Sequence, residues 1–417
     1  VSVEMKTRAH PEPSQETGLS LYIRTPFRSP VRKAIFTLHK WVGAIIALYI
    51  LTMSLSGVTL VFHDEFESIL CPPPSLKVGE KRATFESMIE NTHKRHVGYR
   101  VTGFICPRKA ELPVEVFAVN DKEKKLHLNA DPYTGEIIGP RQESEVLEAV
   151  RDLHHNLFNG KTGRTVNGVG ASCLFLLVVT GVVVWWRGVK DWASGFRFAM
   201  KGNFRRVNWN LHSAVGVWAL PLLLIWSISG FYFGFTAFFE KSLNVVFPVS
   251  AQKQVAPPDE KIAMEENEPK SAGDMAIAAM HGAKPDLDKM VQTAIAAAGR
   301  EDFVERIAYP DKRRPTLRIW LSNSLCAEST TKTQVFLDPK TGLVLAVAPS
   351  DAAPSGDVIL QWLTKLHFGS FAGLASKSAW ILLGLAPAVL AVSGLSLFAH
   401  GLRVSSKKEA PEHVRRY

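Results

Sequence analysis

Cysteine is scarce, with four residues in a chain of 417, too few for the disulfide framework that staples small secreted domains. Cys71 and Cys106 share one polar segment and leave open either a single bridge or two free thiols. Cys326 lies in a second polar segment, and Cys173 sits in an apolar run, where a small packed side chain is the ordinary reading. No His-Glu-x-x-His run occurs, which excludes the zinc-protease helix, and no Gly-x-Gly-x-x-Gly opens a βαβ unit, since Gly168-x-Gly170 lies within an apolar run. The chain therefore has no dinucleotide fold of its own. Acidic residues are the minority charge, 39 against 49 basic ones.

Long apolar runs are what the chain does have. Four charge-free stretches, roughly 41–62, 165–186, 212–239 and 378–400, each match the length of about 20 residues that a helix needs to cross a bilayer core. A membrane protein with four spans is expected, and the near-zero mean hydropathy of +0.04 averages these spans with two large polar segments.

The basic residues give the expected orientation, because short loops rich in Lys and Arg stay in the cytoplasm. Residues 1–38, 187–211 and 401–417 together carry a net charge of +11, and everything else sums to −1. Both termini and the middle loop are therefore expected on the cytoplasmic side of the membrane, with segments 64–163 and 240–377 outside. A nucleic-acid surface is the competing reading of a pI near 9.4, but the charge clusters at span ends, and nucleic acid is not expected as a partner. Residues 1–30 are polar and proline-containing, so the first apolar run is expected to act as its own signal-anchor.

The chain also repeats itself. Leu38-His39-Lys40-Trp41-Val42-Gly43 recurs as Leu211-His212-Ser213-Ala214-Val215-Gly216, and 18 residues separate His39 from Gly57 and His212 from Gly230. A second pair follows: Leu153-His154 with Thr180-Gly181, and Leu366-His367 with Ser393-Gly394, both at a His-to-Gly spacing of 27. Such self-similarity marks an internal duplication. The first polar segment has a helix at about 84–94 and strand-like runs at 99–105, 112–119 and 125–130, and the second has helices near 274–282 and 287–299 and strands at 303–308, 315–321 and 333–337. Each then ends in an Asp-Pro-x-Thr-Gly turn, Asp131–Gly135 and Asp338–Gly342, with Pro fixing φ and Gly permitting its positive values.

The expected fold is an α-helical membrane protein built as two tandem span–module–span repeats with two small α+β periplasmic modules. Its parts are a tail (1–31), span 1 (32–63), module 1 (64–144), an amphipathic helix (145–163) and span 2 (164–187). A cytoplasmic loop (188–208), span 3 (209–239) and module 2 (240–357) with a flexible linker at 251–272 come next. A second amphipathic helix (358–377), span 4 (378–401) and a tail (402–417) complete the order.

Of 13 histidines, His39, His154, His212 and His367 recur at equivalent places. Ionisable groups at membrane depth are costly and usually functional, and a neutral imidazole is a common metal ligand. Two-fold duplication would bring equivalent helices face to face, giving an inner pair, His39 and His212, and an outer pair, His154 and His367. That arrangement suits two bis-His haems stacked across a membrane. Gly43 and Gly216, one turn beyond His39 and His212, would leave room for a macrocycle; small-residue helix packing is the competing role. With no Cys-x-x-Cys-His run, the haems would be non-covalent haem b, two per chain. His63 and His400 bracket spans 1 and 4 but lack histidine counterparts in the other repeat, and are read as interfacial or supporting residues.

The order of spans and modules, the Leu38-His39-Lys40-Trp41-x-Gly43 and Leu153-His154 motifs, the Thr180-Gly181 and Ser393-Gly394 pairs and the two Asp-Pro-x-Thr-Gly turns resemble the PepSY-associated transmembrane proteins. The likeness covers about residues 32–400. It implies an iron-regulated inner-membrane haem protein acting as a ferric-siderophore reductase, an oxidoreductase. A cytoplasmic or membrane donor would supply its electrons, and the ferric siderophore would be its substrate. The alternative from another class is a non-catalytic, membrane-anchored module that binds peptides or a partner through its periplasmic domains.

Overall fold

A computed structural model describes residues 22–23, 26, 29–196, 201–249, 286–299, 302–311, 315–322, 332–349 and 354–409. The linker at 251–272, a helix read near 274–282, Cys326 and most of both tails lie outside the described residues. The chain divides into two compact units, one formed by residues 1–63, 146–240 and 362–417 and the other by 64–145 and 241–361.

Most of the first unit is helical. Helix α1 (Pro30–Val61) begins with proline at its first turn, where the missing N–H costs nothing and the fixed φ suits the helix. Short α2 (His63–Leu70), which enters the second unit after His63, and α3 (Phe85–Arg95), wholly within that unit, follow. Helix α4 (Glu145–Asn156) leads through a break at Leu157 and Phe158, both at positive φ, into α5 (Gly160–Trp185). Arg32 donates to the Val184 carbonyl at 2.7 Å, satisfying an acceptor that the end of α5 leaves open.

The run at 212–239, expected as one span, is broken. Helix α6 (Phe204–Trp218) meets α7 (Leu220–Gly234) at a bend of 66°. Pro221, in the first turn of α7, has no N–H to return to the Val217 carbonyl, and its ring crowds that turn. Short α8 (Thr236–Leu243) follows. Among the described residues three segments, Pro30–Val61, Gly160–Trp185 and Gly373–Arg403, are long and apolar enough to cross a bilayer, and the α6–α7 pair makes a fourth if the bent pair is one span.

Helix α1 packs against α5 and, near the C-terminus, against α11 (Gly373–Gly384) and α12 (Ala386–Glu409), while α5 packs against α7 and α6 against α12. Small residues set these crossings. A Cβ added at Gly234 would come within 2.4 Å of the Gly168 Cα, and one at Gly170 within 2.3 Å of the Tyr49 ring. Large apolar side chains such as Ile45 and Leu382 remain three-quarters exposed, as a lipid-facing surface requires.

Among the described residues, the second unit contains α3, α9 (Leu287–Ala298) and eight strands, β1 (Tyr99–Ile105), β2 (Val114–Asn120), β3 (Lys125–Ala130), β4 (Ile137–Pro140), β5 (Phe303–Ala308), β6 (Leu317–Ser322), β7 (Thr333–Leu337) and β8 (Val344–Ala348). The sequence reading keeps the two modules apart; here they share one sheet, ordered β4-β3-β2-β1-β5-β6-β7-β8. The join is β1 against β5, antiparallel, with Phe104 opposite Ile307. Each half is a meander closed by its Asp-Pro-x-Thr-Gly turn: Asp131 Oδ1 accepts from Tyr133 N at 2.7 Å, and Asp338 Oδ1 from Lys340 N at 2.8 Å. Gly135 and Gly342 take the positive φ that these turns need.

One hydrophobic core runs across the join, with Met88 and Ile89 of α3, Met290 and Val291 of α9, and Phe104, Leu128, Ile307, Ile319 and Val335 of the strands. Asp288 of α9 accepts from the Phe85 and Glu86 N–H groups at 3.0 and 3.1 Å, capping the first turn of α3 from the other half. Asp288 adds to caps that each helix takes from its own half, Thr84 for α3 and Asp286 for α9, and the β1–β5 pairing covers one edge strand of each half. Cys71 and Cys106 are both free thiols, and Cys106 is buried, its pKa pushed up to about 12 by burial.

Candidate functional site

All four duplicated histidines lie in the first unit. His39 is in α1 and His212 in α6, and their ring centroids are 6.4 Å apart with planes at 86°. His154 is in α4 and His367 in α10 (Ser355–Phe368), and their centroids are 6.3 Å apart at 61°. Each pair thus joins equivalent positions of the two repeats. His39 and the Ser56 that contacts His154 are both on α1, 17 residues apart, so the pairs are separated by about 25 Å along that helix.

Each ring also contacts a hydroxyl through Nδ1. His39 meets Thr180 Oγ1 at 2.9 Å, His154 meets Ser56 Oγ at 2.9 Å, His212 meets Ser393 Oγ at 2.9 Å and His367 meets Ser229 Oγ at 2.6 Å. Every one of these hydroxyls belongs to a duplicated Ser/Thr-Gly dipeptide and comes from the same repeat as its histidine. The helices bring them together because α1 packs on α5 and α6 on α12. Sequence spacing picks out the dipeptides; the hydroxyl contact is visible only in three dimensions.

The glycines divide into two groups. A Cβ added at Gly57, Gly181 or Gly394 would lie 3.0, 3.4 or 3.1 Å from the Cε1 atom of His154, His39 or His212. Gly230 abuts the Ala171 Cβ at 2.9 Å instead. At Gly43 and Gly216 an added Cβ would meet only Leu177 at 3.7 Å and Leu390 at 3.8 Å, ordinary contact distances. A separate cleft of about 370 Å³ lies between α6 and α12, bordered by Leu211, Val389, Val392 and Ser393, and neither glycine lines it.

All four histidines are partly buried. Burial holds His154 down to about 4, with neighbouring His155 adding to the effect. Burial, then His154 and His155, hold His367 down to about 3. The outer pair is therefore uncharged at neutral pH and keeps its lone pairs for a ligand. His155 is 5.9 Å from His154 and shares its surroundings with Arg164, Arg151 and His63, which places His63 at the edge of this pair. His400 lies in the last apolar helix, α12.

Two facing imidazoles have the spacing of axial ligands. A metal held between two ring nitrogens at about 2.0–2.1 Å sets their centroids about 6 Å apart. Among the described residues no group of three or more His, Cys, Asp or Glu could hold a bare ion. A donor set of two facing imidazoles fits a metal whose remaining ligands come from a macrocycle, as in haem.

The sequence matches the family of the PepSY-associated TM region over residues 36–400. The chain belongs to this family and is a multi-pass membrane protein. A stretch of 89 residues is 32% identical to a Pseudomonas aeruginosa protein named Uncharacterized protein PA4219, covering 20% of this chain and 21% of that one. The match thus spans about a fifth of that relative's length.

Proposed function

We propose that this protein is a two-haem conduit that carries electrons across the bacterial inner membrane and reduces ferric-siderophore complexes in the periplasm. The observation that carries the reading is the pair of facing imidazole pairs, His39 with His212 and His154 with His367, each joining equivalent positions of a duplicated sequence. His39 and His212 hold the inner haem, with Gly43 and Gly216 leaving room at its edge; His154 and His367 hold the outer one. Bound haem iron takes up and releases one electron at a time.

The chain's own contribution is to hold four neutral imidazoles at fixed places and surround them with apolar protein that excludes water. Basic residues at the tail and loop ends favour the inner pair on the cytoplasmic side, where a cytoplasmic or membrane reductant supplies electrons. The substrate is iron(III) in a cage of hard oxygen ligands. Adding one electron gives iron(II), which such ligands hold less well, so the metal is released while the chelator stays intact.

The visible spectrum of the purified protein tests the reading. A Soret band that shifts on reduction, with about two haems b per chain extractable by acid acetone, is the expected result. A colourless protein would overturn it and favour the peptide- or partner-binding alternative.

A further inference from the structure

We infer that Ser56, Thr180, Ser229 and Ser393 are positioning residues that fix the tautomer of the four histidines, so that every Nε2 carries the free lone pair. The inference rests on the proposed haem-binding role for its purpose, but the tautomer itself follows from the hydrogen bonds.

A serine or threonine hydroxyl has one hydrogen to give and two lone pairs to receive. Each of these hydroxyls is placed to give its hydrogen to the backbone carbonyl four residues back. Ser56 reaches Thr52 at 2.7 Å, Thr180 reaches Leu176 at 2.7 Å, Ser229 reaches Ile225 at 2.6 Å and Ser393 reaches Val389 at 2.6 Å. A carbonyl can only accept, so the hydrogen is committed. The contact with histidine must then run the other way, with Nδ1–H donating to the hydroxyl oxygen. A neutral imidazole has a single N–H, and Nε2 is left as the acceptor.

A hydrogen bond to the distal N–H fixes the orientation of a ligating histidine and raises its basicity. Here the support is reciprocal between helices. Helix α1 carries His39 and the hydroxyl for His154, while α5 carries the hydroxyl for His39; α6, α7 and α12 repeat the scheme for His212 and His367. Each facing pair is thus oriented by hydroxyls from both repeats, which explains why the Ser/Thr of the dipeptide recurs together with its glycine.

The test is nitrogen NMR on the full chain in detergent, labelled with ¹⁵N-histidine and depleted of cofactor. Four ring systems with protonated Nδ1 and bare Nε2 are expected in the wild type. Ser56→Ala should alter the His154 signal alone, and Ser56→Thr should retain it; Thr180→Ala and Thr180→Ser should do the same for His39. Haem affinity should fall about tenfold or more in each alanine variant and return in the hydroxyl-bearing one. Protonated Nε2 in the wild type, which needs no variant to observe, would overturn the inference, as would alanine variants with unchanged signals. A wild type that shows the expected tautomers yet binds no haem would instead overturn the proposed function and leave the tautomer assignment standing.

Discussion

His39 and His212 face each other at 6.4 Å between ring centroids, yet each is hydrogen-bonded within its own repeat, His39 to Thr180 and His212 to Ser393. The facing contact is made between repeats and the orienting contact within one. Loss of either histidine should therefore empty a shared site. His39→Ala or His212→Ala should each remove one haem of two and leave the other with an unchanged spectrum, and His154→Ala or His367→Ala should remove the second. Haem-to-protein ratios on purified variants check this. Loss of the same haem on changing His39 or His154 would show ligation within a repeat.

Glycine substitutions separate two kinds of close approach. At Gly43 and Gly216 the nearest atoms to an added Cβ are leucine methyls at 3.7 and 3.8 Å, so alanine there should fold normally. Because both positions lie one turn beyond a ligand on the same helix face, the added methyl should still lower haem content at the inner site. Gly57→Ala and Gly394→Ala should act differently, pressing on the His154 and His212 rings themselves at 3.0 and 3.1 Å, and should disturb the imidazoles before any cofactor is added. Haem content and thermal stability, measured on all four variants, distinguish the two. Full haem content in Gly43→Ala would assign that glycine to helix packing alone.

Much of this arrangement is legible in the chain because duplication supplies an internal comparison: residues that recur at spacings of 18 and 27 stand out from neighbours that do not. Most strand positions follow from alternation and from turn chemistry, since Asp131 and Asp338 bond their own turns locally. Long-range features are not written this way. The β1–β5 join depends on backbone groups that any side chain leaves unchanged, and the Asp288 cap of α3 links residues about two hundred positions apart. The bend between α6 and α7 carries a local mark in Pro221, but an unbroken apolar run hides it when length alone is read.

Glu305 predicts an acid-sensitive contact in the sheet unit. Burial alone would raise its pKa, but hydrogen bonds from Lys332, Ser322 and Arg108 outweigh it and hold the carboxyl below its ordinary value. A carboxylate depressed in the folded state stabilises the fold at every pH above its unfolded value, about 4.3, and loses that effect as pH falls through the folded value. Glu305→Gln should cost about 1–3 kcal/mol at neutral pH, and the deficit relative to wild type should shrink below about pH 4. Thermal unfolding of both proteins in detergent across pH 3–7 (about the range set by carboxylate titration) reads this out. A deficit that does not vary with pH would mean that the charge on Glu305 adds nothing.

The site of reduction gives the last prediction. On the proposed reading, the net charge of +11 on the tails and middle loop favours that side in the cytoplasm, so the His39–His212 pair would take up electrons and the His154–His367 pair would pass them on. A charged ferric chelate cannot readily enter the bilayer core, so it must take its electron at the periplasmic end. His154→Ala and His367→Ala should each abolish ferric-chelate reduction while the inner haem remains reducible from the cytoplasmic side. Spheroplasts supplied with a ferric siderophore and an impermeant iron(II)-trapping chelator report this directly, since only iron(II) released outside is trapped. Wild-type iron(II) production in both variants would place reduction elsewhere and remove the mechanism from the proposed reductase.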